Sequence, residues 1–340
     1  MITGFKIISK ITKLLGFLLI IGIFSVIFYF VSTTIQERKI ETEDLEASLL
    51  EQINLNEVNV STTKEVIRNS LPIITLSSNS LQPGDTLIVK INDSTFTGTI
   101  IGKLGSTKTD FIKFTADGEW IGIFGIAAKT TPGKRNLIIT YSNGQEIEKE
   151  IEIIPRKFPI TKLVVTKELE KKGFTPAIIQ DNVINKENIL IGKVLNTYTP
   201  QAYFNKAFKN PLINIQNVGA FGNIRKNGNI SLQHLGVDLE ANMGTPVYAV
   251  NSGIISFEKE LTNYGKTIII DHGLGIFSLY LHLDEFKKLK GDTVQLGEVI
   301  GLTGSTGYSI EPHLHFSIKV HGSSVDPLKF IDITQQELPN

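Results

Sequence analysis

The stretch HLHFSIKV, residues 313–320, decides the fold of the C-terminal third of this chain. Polar and apolar residues alternate along it, and successive side chains of a β-strand point to opposite faces of a sheet. We therefore expect His313, His315 and Ser317 on one face, with the intervening leucine, phenylalanine and isoleucine in the core. Two imidazoles then emerge side by side on one surface.

A second segment, IFSLYLHL at residues 276–283, shows the same alternation. Its phenylalanine and leucines are expected to form the apolar face, which leaves Ser278, Tyr280 and His282 on the opposite face. The histidine-bearing faces of the two strands are therefore predicted to meet in one cleft.

The sequence from residue 219 onward is typical of a mainly β, largely antiparallel domain. Short β-rich runs alternate with glycine turns, a pattern that favours sheets built from neighbouring strands. Further strands are predicted at residues 246–250, 253–258, 266–271 and 299–302. Asp326 and Pro327 indicate a turn that closes the domain.

All six histidines lie beyond residue 230, which places the chemistry in the last third of the chain. His234 and Asp238 are four residues apart, a spacing that brings both to one side of a helix or of an extended segment. A catalytic zinc requires three protein ligands and one open position for water. His234, Asp238 and either histidine of the 313–320 strand meet that requirement. The other histidine of this pair and His282 are then free to transfer protons and stabilise an oxyanion.

Each of these patterns also occurs by chance, and a His-x-His pair on an amphipathic strand can be a surface pair. Their joint presence, with glycine-rich strands between them, favours a metal site. Two other histidines are predicted to lie outside it. His272, at a strand end, is expected to be structural, and His321, beside a glycine turn, is expected at the surface.

Residues 71–155 are predicted to form a small β-sandwich, immunoglobulin-like in its short strands and regular turns. Asn143 and Gly144 indicate a hairpin with a two-residue primed turn, which requires positive φ at both positions. No cluster of titratable residues occurs in this region. We therefore expect a spacer or a module that binds an envelope protein partner.

Residues 156–215 are interpreted as a helical connector, and residues 216–332 as the domain that carries the histidines. Within the connector, Thr175 followed by Pro176 is typical of a helix start, with threonine as the N-cap and proline in the first turn.

Residues 14–32 contain no charged residue and are about long enough to cross a bilayer core of roughly 30 Å. They are predicted to be a transmembrane anchor, preceded by a cytoplasmic tip within residues 1–33 and followed by a tether at 34–70. Lysines before the segment favour a cytoplasmic N-terminus, which puts the later domains outside the cytoplasmic membrane. A cleaved signal peptide is the alternative.

Composition excludes several classes of function. The chain has 34 basic and 34 acidic residues, so no net charge would attract it to nucleic acid. It contains no cysteine, which excludes disulfides, thiol nucleophiles and zinc thiolate sites. Any metal must be held by histidine and carboxylate.

Residues 219–330 closely resemble the LytM or lysostaphin-type zinc metalloendopeptidases, which cut peptidoglycan cross-links. The resemblance includes Arg225 and the motifs FG at 221–222, HLGVD at 234–238, GTPVYA at 244–249, YLHL at 280–283, GEVIG at 297–301, TGSTG at 303–307 and HLHF at 313–316. It implies an antiparallel, duplicated-hybrid-motif-like fold with a groove between β-sheets and the metal at its floor. It further implies that His234, Asp238 and His315 bind Zn²⁺ and that His282 and His313 are catalytic.

Two further expectations follow from the resemblance. Some members of the family close the groove with their own N-terminal region, and residues 156–215 are the candidate in this chain. The segment from Tyr308 to Pro312 departs from the small residues that relatives have there. Tyr308 and Glu311 are therefore expected to shape the substrate groove.

The sequence thus predicts a membrane-anchored, single-pass, zinc-dependent endopeptidase that hydrolyses peptide cross-links between peptidoglycan stem peptides during cell-wall remodelling. Two alternatives stay open. One is a non-catalytic envelope scaffold or activator of another cell-wall hydrolase, and the other is a zinc peptidase that acts on proteins.

Overall fold

The computed structural model describes residues 32–33, 36, 72–115 and 118–339. Among these residues, no helix is long and apolar enough to cross a membrane. The predicted anchor and tether, apart from Ser32, Thr33 and Gln36, lie outside the described residues. Residues 70–340 form one compact unit.

The first part of this unit is a β-sandwich of eight strands. In space the strands follow the order β1-β3-β6-β5-β4-β7-β8-β2, and all pairs are antiparallel except β2 with β8. The strands are β1 (Ile73–Leu76), β2 (Ser80–Leu81), β3 (Thr86–Asn92), β4 (Ile100–Leu104), β5 (Thr107–Lys113), β6 (Glu119–Gly125), β7 (Gly133–Tyr141) and β8 (Glu146–Ile153). The middle strand β5 pairs with β4 and with β6, and so joins the two sheets.

The β7–β8 hairpin lies where the sequence predicts it, but the primed turn is wrong. Gly144 has φ +90°, whereas Asn143 is not among the residues with positive φ. The N–H of Tyr141 donates to the carbonyl of Gln145 at 2.8 Å, which closes a loop longer than two residues. The glycine alone supplies the left-handed conformation that the chain reversal requires.

Strands β3 and β6 are buried on both faces. Leu87 and Val89 point into the sandwich core, whereas Ile88, Ile121 and Ile123 pack into the core of the C-terminal domain. The near-continuous apolar runs of these strands suit burial on two sides. The sandwich is therefore an integral wall of the C-terminal domain. Its interaction with an envelope protein partner stays a prediction.

The connector is not purely helical. Strand β9 (Ile160–Lys162) precedes the helices and pairs in parallel with residues 224–226 of the C-terminal domain. The helices follow as α1 (Lys167–Lys171), α2 (Pro176–Asp181), a π-helical turn (Asn182–Glu187) and α3 (Asn188–Leu195). The predicted helix start is confirmed, since the Thr175 side chain accepts a hydrogen bond from the N–H of Ile178.

The C-terminal domain is a ten-stranded sheet with the main order β10-β13-β20-β17-β16-β15-β18, and a small sheet ordered β12-β11-β9. Its strands are β10 (Asn217–Gly219), β11 (Ile224–Asn227), β12 (Ile230–Gln233), β13 (Val237–Glu240), β14 (Pro246–Tyr248), β15 (Gly253–Leu261), β16 (Gly265–Asp271), β17 (Ile276–Phe286), β18 (Thr293–Val294), β19 (Val299–Thr303), β20 (His313–Val320) and β21 (Ser323–Val325). The pairs of the larger sheet are antiparallel, as predicted. All six strands predicted within 246–320 are present.

The chain ends in a helix where only a closing turn was predicted. Helix α4 (Pro327–Glu337) begins after Asp326 and extends beyond the predicted domain end at residue 332. Phe330 and Ile331 are buried against the sheet and strand β3. Proline in the first turn of a helix, where its missing N–H costs nothing, is the signal that the sequence interpretation did not use.

Candidate metal centre

The pairing of β13 with β20 determines the centre of the site. Asp238 lies directly opposite His315 in this register, and the His315 Nδ1 atom is 2.9 Å from Asp238 Oδ1. His234 stands in the extended segment just before β13. Its Nε2 atom lies 3.0 Å from Asp238 Oδ1 and 2.9 Å from His315 Nδ1. One ligand atom from each residue lies within 4.8 Å of the other two.

The hydrogen bonds of these side chains fit a metal. His234 Nδ1 is 3.0 Å from the carbonyl oxygen of Ala220. A carbonyl only accepts hydrogen bonds, so Nδ1 carries the proton and the Nε2 lone pair faces Asp238 and His315. On the far side, His315 Nε2 is 3.0 Å from Ser317 Oγ, which can accept its proton and leave Nδ1 free. Two nitrogen atoms and one carboxylate oxygen therefore converge as Lewis bases, a donor set that suits zinc.

Two glycines allow this close approach. A Cβ atom at Gly219 would lie 2.3 Å from Asp238 Oδ2, and one at Gly236 would lie 2.5 Å from His315 Nε2. Both distances are far inside van der Waals contact, so any larger residue at either position would displace a candidate ligand.

Arg225 also contacts Asp238. Its guanidinium donates to Asp238 Oδ2 at 2.7 Å, which leaves Oδ1 facing the histidines. Burial alone would raise the pKa of the Asp238 carboxyl, but its interactions with His234 and His315 outweigh burial and hold that pKa well below its ordinary value. The carboxylate is therefore ionised at neutral pH.

His282 lies on the predicted strand, but its side chain does not follow the alternation of that strand. Ser278 and Tyr280, predicted to share its face, are fully buried in the interior. One extra residue of β17 lies between the Ile268–Tyr280 and Lys266–Leu283 pairs, which is a β-bulge, and His282 has φ +63°. The bulge turns the imidazole out of the alternation and onto the face of the candidate metal ligands.

His282 and His313 stand next to each other, with ring centroids 4.9 Å apart. Each Nδ1 atom is 2.8 Å from a backbone carbonyl, that of Thr306 for His282 and that of Glu311 for His313. Because carbonyls only accept, each ring carries its proton on Nδ1 and keeps Nε2 for a ligand or water. His313 Nε2 lies 3.7 Å from Asp238 Oδ1, so this free nitrogen borders the metal ligands.

Burial decides the charge of two of these rings. It lowers the pKa of His282 to about 3, with a smaller contribution from His313 and His315. Burial likewise lowers the pKa of His315 to about 4 against the opposing effect of Asp238. Both imidazoles are neutral at neutral pH, the form that a metal ligand or a proton acceptor requires.

A groove of about 1000 Å³ runs past this cluster. Tyr308 and Glu311, the residues expected to shape it, both line it. Tyr308 donates a hydrogen bond to the carbonyl of Val164, and its ring centroid is 5.8 Å from that of Phe174. The connector thus forms one wall of the groove. The connector residues that line the groove are Lys162, Leu163, Val164, Ile179, Val183, Asn188, Ile191 and Leu195.

The remaining histidines lie away from the cluster. His272 is fully buried and bonded to the carbonyl of Ser252 and to Ser278 Oγ, so it is structural. His321 was expected at the surface, but its Nε2 atom is 2.8 Å from Thr109 Oγ1 of the β-sandwich and its ring stacks on Tyr198. It lies at the junction of the two domains.

Sequence reasoning did not assign roles to Arg225 or Thr306. Arg225 belongs to the motifs of the resemblance, but it is followed directly by Lys226, so the sequence alone does not distinguish it from a surface cation. Thr306 acts through its carbonyl oxygen, for which side-chain identity gives no signal.

Comparison with known proteins bears on the same residues. Residues 232–327 match the model of Peptidase family M23. Over 95 residues the chain is 43% identical to the DD-carboxypeptidase/endopeptidase Mpg of Neisseria meningitidis serogroup B, and over 96 residues it is 36% identical to the peptidoglycan DD-endopeptidase ShyA of Vibrio cholerae. Each match covers 28% of this chain and 22% of the relative, so the chain spans about a fifth of the length of these proteins.

Among solved structures, the fold is similar to that of a putative peptidase M23 from Pseudomonas aeruginosa. The TM-score is 0.54 at 22% identity, and the alignment covers 73% of this chain and 94% of that one. At this identity the likeness concerns the fold alone. Residues 232–327 therefore match Peptidase family M23 in sequence, and the chain is similar in fold to a putative peptidase M23.

Proposed function

We propose that this chain is a zinc-dependent endopeptidase that hydrolyses peptide cross-links of peptidoglycan. The convergence of His234 Nε2, Asp238 Oδ1 and His315 Nδ1 beside two histidines with free Nε2 atoms carries the proposal. The family M23 match and the endopeptidase names of the relatives support the reaction and the substrate class.

His234, Asp238 and His315 would hold the zinc ion. When bound, zinc supplies Lewis acidity toward the scissile carbonyl and the attacking water. Arg225 acts on the carboxylate rather than on the substrate. By binding Oδ2 it keeps Oδ1 turned to the histidines, so it is a positioning residue.

The two remaining histidines move protons. Because His282 and His313 both donate through Nδ1 to backbone carbonyls, their rings are held in place and Nε2 is the atom that reacts. Nε2 can accept a proton from the attacking water. Once protonated, it can donate that proton to the leaving amine or to the oxygen that gains negative charge.

The test is incubation of the purified protein with intact peptidoglycan, with and without a zinc chelator, followed by mass spectrometry of the soluble products. We expect release of cut peptide cross-links that the chelator abolishes and added zinc restores. His234→Ala should bind less zinc and release nothing, while its thermal unfolding stays cooperative.

The peptidoglycan assay, complementation of a deletion strain and a second substrate together separate the alternatives. A non-catalytic scaffold would release no product from peptidoglycan, and His234→Ala would then complement a deletion strain as well as the wild type does. A zinc peptidase of proteins would digest an unfolded polypeptide faster than cross-linked muropeptides.

We also propose that residues 14–32 anchor the chain in the cytoplasmic membrane with the catalytic domain outside. The uncharged length of this segment and the lysines before it support the proposal. Carbonate extraction of membranes tests the anchor, and protease access to the domain in intact spheroplasts tests the orientation.

A further inference from the structure

Side chains of strand β20 line the groove beyond the candidate metal centre. Because its side chains alternate, His313, His315, Ser317 and Lys319 line the groove in a row, while the residues between them are buried in the sheet. Lys319 is the last of the four. It lies four residues after His315, about 13 Å along the strand at roughly 3.3 Å per residue.

Within the part of the chain that the structure describes, Lys319 is a cation without a counter-ion. Its Nζ atom donates a hydrogen bond to Ser324 Oγ on the neighbouring strand β21. Among the described residues, no carboxylate pairs with it, and no acidic side chain influences its titration. Lys319 is partly buried, and even partial burial of a charge without a partner is costly, so such a position requires an explanation.

Burial lowers the pKa of Lys319 to about 8. This pKa is still above 7, so the side chain is mainly an ammonium ion at neutral pH. An ammonium has three N–H donors, and Ser324 accepts only one of them. The Ser324 hydroxyl keeps its own proton, which can be donated to a ligand at the same point.

The groove between the metal centre and Lys319 is apolar on both sides. Leu279 of β17 lies opposite Ser317 in the sheet, and Ile191 and Leu195 of helix α3 line the facing wall. A low-polarity passage that ends in a free cation suits an extended chain with an anionic group at its far end. Water is displaced there, which strengthens a charge-assisted hydrogen bond.

We propose that Lys319, with Ser324, forms a subsite that binds a carboxylate of the peptide substrate. An extended peptide advances about 3.3–3.6 Å per residue, so the carboxylate would lie about four residues from the bond that is cut. The proposal rests on the proposed function for the identity of the ligand as a peptide. The subsite itself is defined by the groove and the unpaired ammonium.

The experiment uses the full chain and two synthetic cross-linked stem-peptide dimers, one with free carboxylates and one with carboxamides in their place. Calorimetry measures binding of each dimer, and mass spectrometry measures kcat and KM for its cleavage. The variants are Lys319→Met, which keeps the length of the side chain without charge, and Lys319→Arg, which keeps the charge. Lys259→Met, at an exposed lysine of β15 outside the groove, is the matched control.

We expect the wild type and Lys259→Met to prefer the carboxylate dimer. Lys319→Met should lose about tenfold to a hundredfold in affinity for that dimer and nothing for the carboxamide dimer, since the lost interaction is a hydrogen bond between charged groups. Lys319→Arg should keep part of the preference. The loss should appear in KM, with kcat little changed.

Equal binding of the two dimers by the wild type overturns the subsite, as does an unchanged preference in Lys319→Met. Absence of binding to either dimer also overturns it. If the carboxylate preference depends on Lys319 but neither dimer is cut, the subsite stands and the endopeptidase proposal fails.

Discussion

The carboxylate of Glu187 accepts a hydrogen bond from the backbone N–H of Asn263 at 2.7 Å, and from that of Tyr264 at 3.1 Å. This buried contact joins the π-helical turn of the connector to the β15–β16 turn. The β15–β16 turn in turn supports the candidate site. The carbonyl of Tyr264 accepts a hydrogen bond from the N–H of His282 at 3.0 Å, and the carbonyl of Asn263 accepts one from the N–H of Tyr308 at 2.8 Å. The connector therefore fixes the backbone that carries His282, one of the two histidines proposed to transfer protons.

Glu187→Gln should weaken this support. A glutamine amide can accept at one oxygen only, so its NH₂ group would face a backbone N–H and leave a buried donor unsatisfied. We expect a loss of about 1–3 kcal/mol in the free energy of unfolding. Displacement of His282 should lower kcat/KM by up to about a hundredfold.

Urea unfolding and the peptidoglycan assay measure these two effects. Glu168→Gln, at an exposed glutamate of helix α1, is the control and should change neither. If both variants behave alike, the contact of Glu187 with the turn does not support the site.

Arg225→Met tests the support of the metal ligand. Without the guanidinium, Asp238 Oδ2 loses its 2.7 Å partner and the carboxylate is free to rotate. Loss of such an outer contact typically lowers metal affinity by about 10-fold to 100-fold. Competition with a fluorescent chelator measures zinc affinity, and Lys226→Met, at the exposed neighbour on β11, should retain the wild-type value. Unchanged zinc affinity in Arg225→Met would refute a positioning role.

Strand positions could be predicted because they depend on local alternation. Residues 276–283 and 313–320 alternate between polar and apolar residues, and each lies within a strand of the structure. The face of His282 could not be predicted in this way, because a bulge adds a residue without changing composition. The parallel pairing of β9 with β11 also could not be predicted from the sequence, because a three-residue strand is too short to show a periodic pattern.

The sequence contains a pattern that indicates contact between the β-sandwich and the C-terminal domain. Residues 87–91 and 120–124 are nearly continuous apolar runs, which is typical of strands buried on both faces. An isolated sandwich with one solvated face would alternate instead. Ile88 and Ile121 are the residues that this second buried face requires.

Because His282 has a positive φ, only some residues can replace it without backbone strain. His282→Asn removes the imidazole but keeps a side chain that adopts the left-handed region readily, so activity should be lost with little change in stability. His282→Val should also lose activity and should cost a further ~1–3 kcal/mol of unfolding free energy, because a β-branched residue is strained there. Thermal and urea unfolding of the two variants provide the comparison. Equal stability of the two would mean that the bulge relaxes without the histidine.

The unpaired ammonium of Lys319 predicts how stability depends on pH. Folding lowers its pKa from 10.5 to about 8, so between these values the unfolded chain binds more protons than the folded one. Protonation of Lys319 therefore does not destabilise the folded protein above pH 10.5. As the pH falls from 10.5 to about 8, the free energy of unfolding decreases. Lys319→Met removes the cost of the buried charge, so it should be more stable than the wild type at pH 7, by up to about 3 kcal/mol.

This difference should shrink as the pH rises from 8 to 10.5, and urea unfolding of both proteins across that range measures it. All other titratable groups are common to both proteins, so their contributions cancel in the comparison. Lys259→Met, whose lysine is exposed, should follow the wild type at every pH. A constant difference between Lys319→Met and the wild type would mean that the ammonium is already compensated in the free protein. A peptide carboxylate would then gain little by binding it.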